Sequence, residues 1–371
     1  MKVRLLPLAI SAAIAMPGVA LAEGPTVYGK LNVSYEMVDV DYAYDDIDPN
    51  SADRWDLLSN ASRFGVKGDA AINDSLKAIY QIEWEVGADE GNTFTSRDRF
   101  VGLAGGFGTL QAGKFDSPLK KSQGKIDQFN DLAGDIKYVL LGEERLDNVI
   151  QYSTPVMGGF QGNIAFAPGE EYDQGQDDPK DGPADSFSLS GTFTVDALYL
   201  ALAYDSQVAT EAYTGIDSDF ELTDTNDLIG EIADELDVDS ETAYFDTVRL
   251  VAQYTMGDFQ LGALYQMAET SDPLFTVLDL EQDGFVVSGA FTLGQNVFKL
   301  QYGASTTEAN VDEVDFSAEN DATSLGLGMD HKLSKQTTLF AYYNALSYEF
   351  DDEDAEEQTK DNLGVGIVHN F

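Results

Sequence analysis

RDRFVGLAGGFGTLQAGKFDSP, residues 97–118, runs directly into LKKSQGKIDQFNDLAGDIKYVLLGEER, residues 119–145. The first stretch is a hairpin: two short runs of period-2 alternation meet at the glycine-rich turn 105–109. From Asp116 to Arg145 the alternation stops for about thirty residues of mixed charge. A loop this long inside a sheet-rich chain needs a structural purpose. We read it as a loop that folds into a β-barrel and narrows the bore opposite the hairpin's arginines.

The rest of the chain supplies the sheet. Val27, Leu31, Val33, Tyr35 and Met37 alternate with Tyr28, Lys30, Asn32, Ser34 and Glu36. Ala78, Tyr80, Ile82, Trp84 and Val86 oppose Lys77, Gln81, Glu83 and Glu85, and the same grammar recurs at 187–195, 259–267 and 363–371. Only 337–350, TTLFAYYNALSYEF, is apolar on both faces, which leaves its orientation open.

Connections alternate as well. Short turns fall at 71–75, 105–109, 155–159, 195–197, 256–258, 293–296 and 333–336. Between them lie long acidic loops near 38–54, 87–96, 116–145, 168–185, 207–243, 270–283, 306–321 and 351–361. Seven turns and eight loops join sixteen strands and put both termini on the short-turn side. An even strand count with short turns on one side and long loops on the other is the pattern of an outer-membrane barrel. A soluble β-sandwich has no need for such strict alternation of connections. The expectation is an all-β fold, a 16-stranded antiparallel transmembrane β-barrel with its long third loop folded into the lumen. Sixteen strands leave room for an aqueous channel.

Composition sets the remaining limits. Residues 1–22 read as a signal peptide: a basic MKVR start, a short apolar run and Ala20-Leu21-Ala22 before the cut. The barrel domain is then 23–371. No cysteine is present, so disulfides and thiolate metal sites are excluded. With 66 Asp+Glu against 21 Lys+Arg, the chain repels phosphate backbones and is not expected to bind nucleic acid. Within the long acidic loop 207–243, Leu228, Ile229, Ile232 and Leu236 have helical spacing after Thr225 and Asn226, predicting a short amphipathic extracellular helix. The acids after it lack the spacing of an EF-hand calcium loop.

Catalytic chemistry has little support. The two histidines, His331 and His369, sit beside a tight turn and near the C-terminus, and no GxSxG, HExxH or P-loop occurs. No enzyme activity and no cofactor are expected. The lumen face offers a charge constellation instead. With Phe64 and Val66 outward, Arg63 and Lys67 point inward; with Phe100 outward, Arg97 and Arg99 point inward; Lys30 points inward by alternation. Arg145 opens the next strand. The loop carries Asp116, Asp127, Asp131 and Asp135, interleaved with Lys120, Lys121, Lys125 and Lys137. A basic wall facing loop acids would set a transverse field of the kind by which pores select.

YGK at 28–30, SRFGVKGD at 62–69, RDRFVGLAGGFGTLQAGKFDSP at 97–118, RLDNVIQYSTPVMGGF at 145–160 and the final GIVHNF resemble the general trimeric porins of Gram-negative outer membranes. The resemblance covers nearly the whole mature chain. It implies a homotrimer in the outer membrane that passes small hydrophilic solutes, with the third loop forming the eyelet. Lys30, Arg63 and Arg97 match the family's basic cluster, with Arg99 pointing the same way and Arg145 at a less constant basic position. Phe371 matches the signal to the outer-membrane assembly machinery. This loop departs from the family in having no compact run of acids and in carrying several lysines, which leaves ion preference open at the constriction. The acidic vestibule, which raises local cation concentration, makes a weak cation preference the expectation. A substrate-specific porin with a solute-binding loop is the alternative function. From a different class, a plugged adhesin-like or structural barrel could share the same strands. The surplus acid suits divalent cations bridging lipopolysaccharide phosphates, or a saline setting, and the sequence does not choose between them.

Overall fold

The computed structural model describes residues 24–41, 54–89, 94–169, 182–210, 243–271, 279–311, 316–351 and 357–371. The expected signal peptide at 1–22, the helix expected within 223–241 and most of the acidic loop sequence lie outside these described residues.

Seventeen strand segments follow one another. They begin with β1 (Thr26–Asp41), β2 (Arg54–Ser59), β3 (Arg63–Asn73), β4 (Leu76–Val86), β5 (Phe94–Gly105) and β6 (Gly108–Asp116). After the long third loop come β7 (Arg145–Ser153), β8 (Phe160–Ala167), β9 (Ser186–Val195), β10 (Leu198–Thr210), β11 (Ala243–Met256) and β12 (Phe259–Thr270). The last are β13 (Asp279–Leu293), β14 (Asn296–Val311), β15 (Phe316–Lys332), β16 (Thr337–Phe350) and β17 (Gln358–Asn370).

β2 and β3 occupy a single place in the wall. Both pair antiparallel with β1, β2 from Val33↔Ser59 onward and β3 from Lys30↔Arg63 downward. The break between them falls at Ala61, whose φ is 47°, where the Ser62 hydroxyl accepts the Asn32 N–H at 3.0 Å in place of a ladder bond. The wall therefore has sixteen strands, as expected. β1 also pairs with β17 from Lys30↔Asn370 to Asp41↔Thr359, which closes the sheet into a barrel without edges.

The barrel is inside-out in polarity. Leu202, Leu250, Leu261 and Val365 are all more than half exposed, while Asn32, Glu36, Arg249, Gln266 and Asn344 are buried. Apolar outward and polar inward is the arrangement that a lipid exterior and a wet interior require. Phe371 packs on the outer wall over Gly29, and the two residues exchange backbone hydrogen bonds at 3.0 Å. A Cβ on Gly29 would lie 2.3 Å from that ring, so only glycine admits it.

Candidate functional site

The long segment between β6 and β7 holds the chemistry. It opens with α1 (Pro118–Ser122), started by Ser117, whose hydroxyl accepts the Lys120 N–H at 2.9 Å, and by proline at the first turn. Farther on, Asp135 caps a 3₁₀ turn (Ile136–Tyr138) by accepting the Lys137 N–H at 3.0 Å.

Between and after these turns the segment bonds to buried, inward-facing polar residues on the wall across from its own hairpin. Gln301 on β14 donates to the Gly134 carbonyl at 2.8 Å, and Asn344 on β16 donates to that of Ala133 at 3.1 Å. Tyr348 donates to the Tyr138 carbonyl at 2.8 Å. At the segment's C-terminal end Arg249, fully buried, donates to Glu143 at 2.6 Å and to Gln266 at 2.7 Å. The loop ends where the sequence predicted.

Asp131 reaches back to the basic side. Its Oδ2 accepts Lys30 Nζ at 2.7 Å and lies 3.5 Å from Arg63 Nη1. Its φ is 67°, a left-handed conformation that aspartate and asparagine tolerate better than most residues. Burial alone would raise its carboxyl pKa, but the Lys30 and Arg63 charges outweigh that and hold it below the ordinary value.

The other acids expected on the loop do different work. Asp116 ends β6 and pairs with Arg145 at 2.8 Å, so it belongs to the same wall as the cations. Asp127 accepts the Phe129 N–H, and Asp135 accepts the N–H groups of Asp131 and Lys137. These two shape the loop from within. Desolvation raises both carboxyls, and the charge of Asp135 adds to the rise at Asp127.

Among the expected wall cations, Lys30, Arg63, Arg97 and Arg145 gather around one cavity of about 1070 Å³, with Lys30 brought to its edge through Asp131. Lys67 is inward but stands apart, with Nζ 4.6 Å from the Tyr28 ring centroid. Arg99 is a correction. Ile82 pairs with Arg99 and Trp84 with Ser96, so Glu83 faces two residues, Arg97 and Asp98. A bulge of this kind puts consecutive side chains on one face and shifts the alternation by one. Phe100 therefore turns inward, against the buried Phe115. Arg99 turns outward with Ile82, over the Trp84 ring at 5.2 Å.

The same bulge frees Arg97 and Asp98 to face the cavity together. Arg97 donates from Nε to Glu83 and from Nη1 to Glu85, both at 2.8 Å, and Asp98 pairs with Arg145 at 2.9 Å. Tyr28 donates to the second oxygen of Glu83 at 2.9 Å. Glu83 and Glu85 lie on the polar face that alternation gives this strand, but alternation alone does not reveal their partnership with Arg97. His331 and His369 bond Asn296 and Thr337 beside the turns, as their positions implied.

A profile described as Gram-negative porin matches residues 9–367. The chain belongs to the Gram-negative porin family. The "Major outer membrane protein P.IB" of Neisseria sicca is 22% identical, with both chains covered completely. Solved structures agree in fold. An anion-selective porin from Comamonas acidovorans superposes with a TM-score of 0.69 at 21% identity, covering 94% of this chain and 99% of that one. The trimer form of OmpT from Vibrio cholerae gives 0.62 at 17% identity, covering 94% and 100%. This porin is an outer-membrane channel for passive diffusion.

Proposed function

We propose that residues 117–144 narrow the channel and that Asp131, set against Lys30 and Arg63, marks the constriction through which small hydrophilic solutes and ions diffuse. The 2.7 Å bond from Lys30 to Asp131 carries this reading, because it joins a loop already held by β14 and β16 to the basic side of the wall. Ion preference is weakly cationic: the chain's formal charge of −45 enriches cations at the mouth, and the fixed charges at the constriction are mutually paired. The porin works as a homotrimer without enzymatic activity, consistent with family relatives that include a trimer form. Phe371 serves outer-membrane assembly, and acidic loop residues hold divalent cations that bridge lipopolysaccharide phosphates.

Conductance and reversal potential of purified protein in planar bilayers test this. The expected result is an open channel with a modest cation preference that fades near 1 M salt, where the Debye length is ~3 Å. Clear anion selectivity at low salt would overturn the preference, and a closed barrel would overturn the channel.

A further inference from the structure

We propose that Glu83 and Glu85 determine the ion preference of the pore by masking Arg97. The proposal rests on the reading of Asp131 and Lys30 as the constriction. The sequence IEWEV turns both glutamates to the cavity and Trp84 away from it, and the bulge of β5 brings Arg97 between them. The guanidinium is engaged on two edges, Nε by Glu83 and Nη1 by Glu85, each at 2.8 Å. Tyr28 fixes Glu83 from its other oxygen. The arginine side chain is 13% exposed and Glu85 is 36% exposed, so a passing ion meets the Glu85 carboxylate more readily than the cation.

The charge balance depends on this pair. Lys30, Arg63 and Arg97 act on one another electrostatically across the wall, and Asp131 supplies one negative charge against them. With Arg145 matched separately by Asp98 and Asp116, these three cations facing one carboxylate would make an anion-attracting constriction. Glu83 and Glu85 bring the carboxylates to three and cancel the excess. They sit on rigid strand β4, so the mask is fixed in place whatever the loop does. The same basic cluster can therefore serve opposite preferences, depending on whether the neighbouring strand carries two acids at this spacing.

The test is the reversal potential of assembled porin in a potassium chloride gradient, for wild type, Glu83→Gln with Glu85→Gln, and Asp131→Asn. Removing two unit charges beside the ion path shifts the permeability ratio roughly fivefold toward anions at low salt. The double variant is expected to cross into anion preference with its conductance retained. An unchanged reversal potential in the double variant, while Asp131→Asn shifts it, overturns the mask and leaves the constriction standing. A shift in the double variant but none in Asp131→Asn overturns the constriction at Asp131 and leaves the wall assignment. No shift in either removes both. If the double variant does not assemble, Glu85→Gln alone is the measurement: among the described residues the Glu85 side chain bonds Arg97, and a shift of about half the logarithm is expected. No shift in that variant overturns the proposal.

Discussion

Arg97 and Arg99 are two residues apart in what period-2 alternation makes a single face, yet they end on opposite sides of the wall. One extra residue opposite Glu83 separates them. Replacing Arg97 with Gln unmasks Glu83 and Glu85 and should move the reversal potential toward cations by roughly twofold at low salt. Arg99→Gln should leave it where it is, because that side chain stacks on the outward Trp84. Equal shifts from both variants in bilayer recordings would contradict the bulge. A bulge has no fixed sequence signature, which is why strict alternation misplaced Arg99 while placing Lys30, Arg63 and Lys67 correctly. The available clue was chemical: Glu83 and Glu85, both inward on a neighbouring strand, needed cationic partners, and the paired charges Arg97-Asp98 stood opposite them.

At the scale of elements, the third loop is held by shape as much as by hydrogen bonds. Phe129 lies over Gly326 and Gly328 of β15, Ile126 over Gly262 of β12, Leu140 over Gly284 of β13 and Val139 over Gly303 of β14. Each glycine leaves a hollow in the wall, and each apolar loop residue fills one, a jigsaw contact that tolerates little added volume. A Cβ on Gly328 would stand 2.8 Å from the Phe129 ring. Gly328→Leu should lift this part of the loop, destabilise its seat by about 1–3 kcal/mol and enlarge single-channel conductance. Unchanged conductance in a folded variant would mean that the seat does not control the aperture. The loop's bounds and the strand count were legible because both depend on local periodicity. Its seating was not, since it depends on residues paired across the barrel. The ambiguous stretch 337–350 was nevertheless the signal: Phe340, Tyr342, Leu346 and Tyr348 face inward and are buried, with Phe129, Leu132 and Tyr138 packed against them. An apolar inner face on a wet barrel implies a cover.

For the whole molecule, closure of β1 on β17 fixes the wall, while the loop is held partly by ion pairs, at Asp131 and at Glu143, and so depends on pH. Two groups of carboxyls pull in opposite directions. Asp131 has a depressed pKa, so its pairing with Lys30 contributes stability above the ordinary carboxylate range and loses it only as pH falls through the depressed value. Asp127, Asp135 and Glu143 have raised values, chiefly through burial. In that window, between the ordinary carboxylate value and their own, the folded protein holds more protons than the unfolded chain, so acidification stabilises the loop. Stability should therefore rise as pH is lowered from neutrality toward the ordinary carboxylate range, where the raised carboxyls take up protons, and fall at lower pH as Asp131 is protonated. Thermal unfolding followed by circular dichroism across this range, with channel noise recorded in parallel, distinguishes the two groups. Asp131→Asn should abolish the acid fall and keep the earlier rise, since asparagine retains the left-handed backbone at this position but carries no charge to lose. A steady loss of stability from neutrality downward would show that the raised carboxyls are not the ones taking up protons, and that the Arg249–Glu143 anchor is instead the first contact to fail.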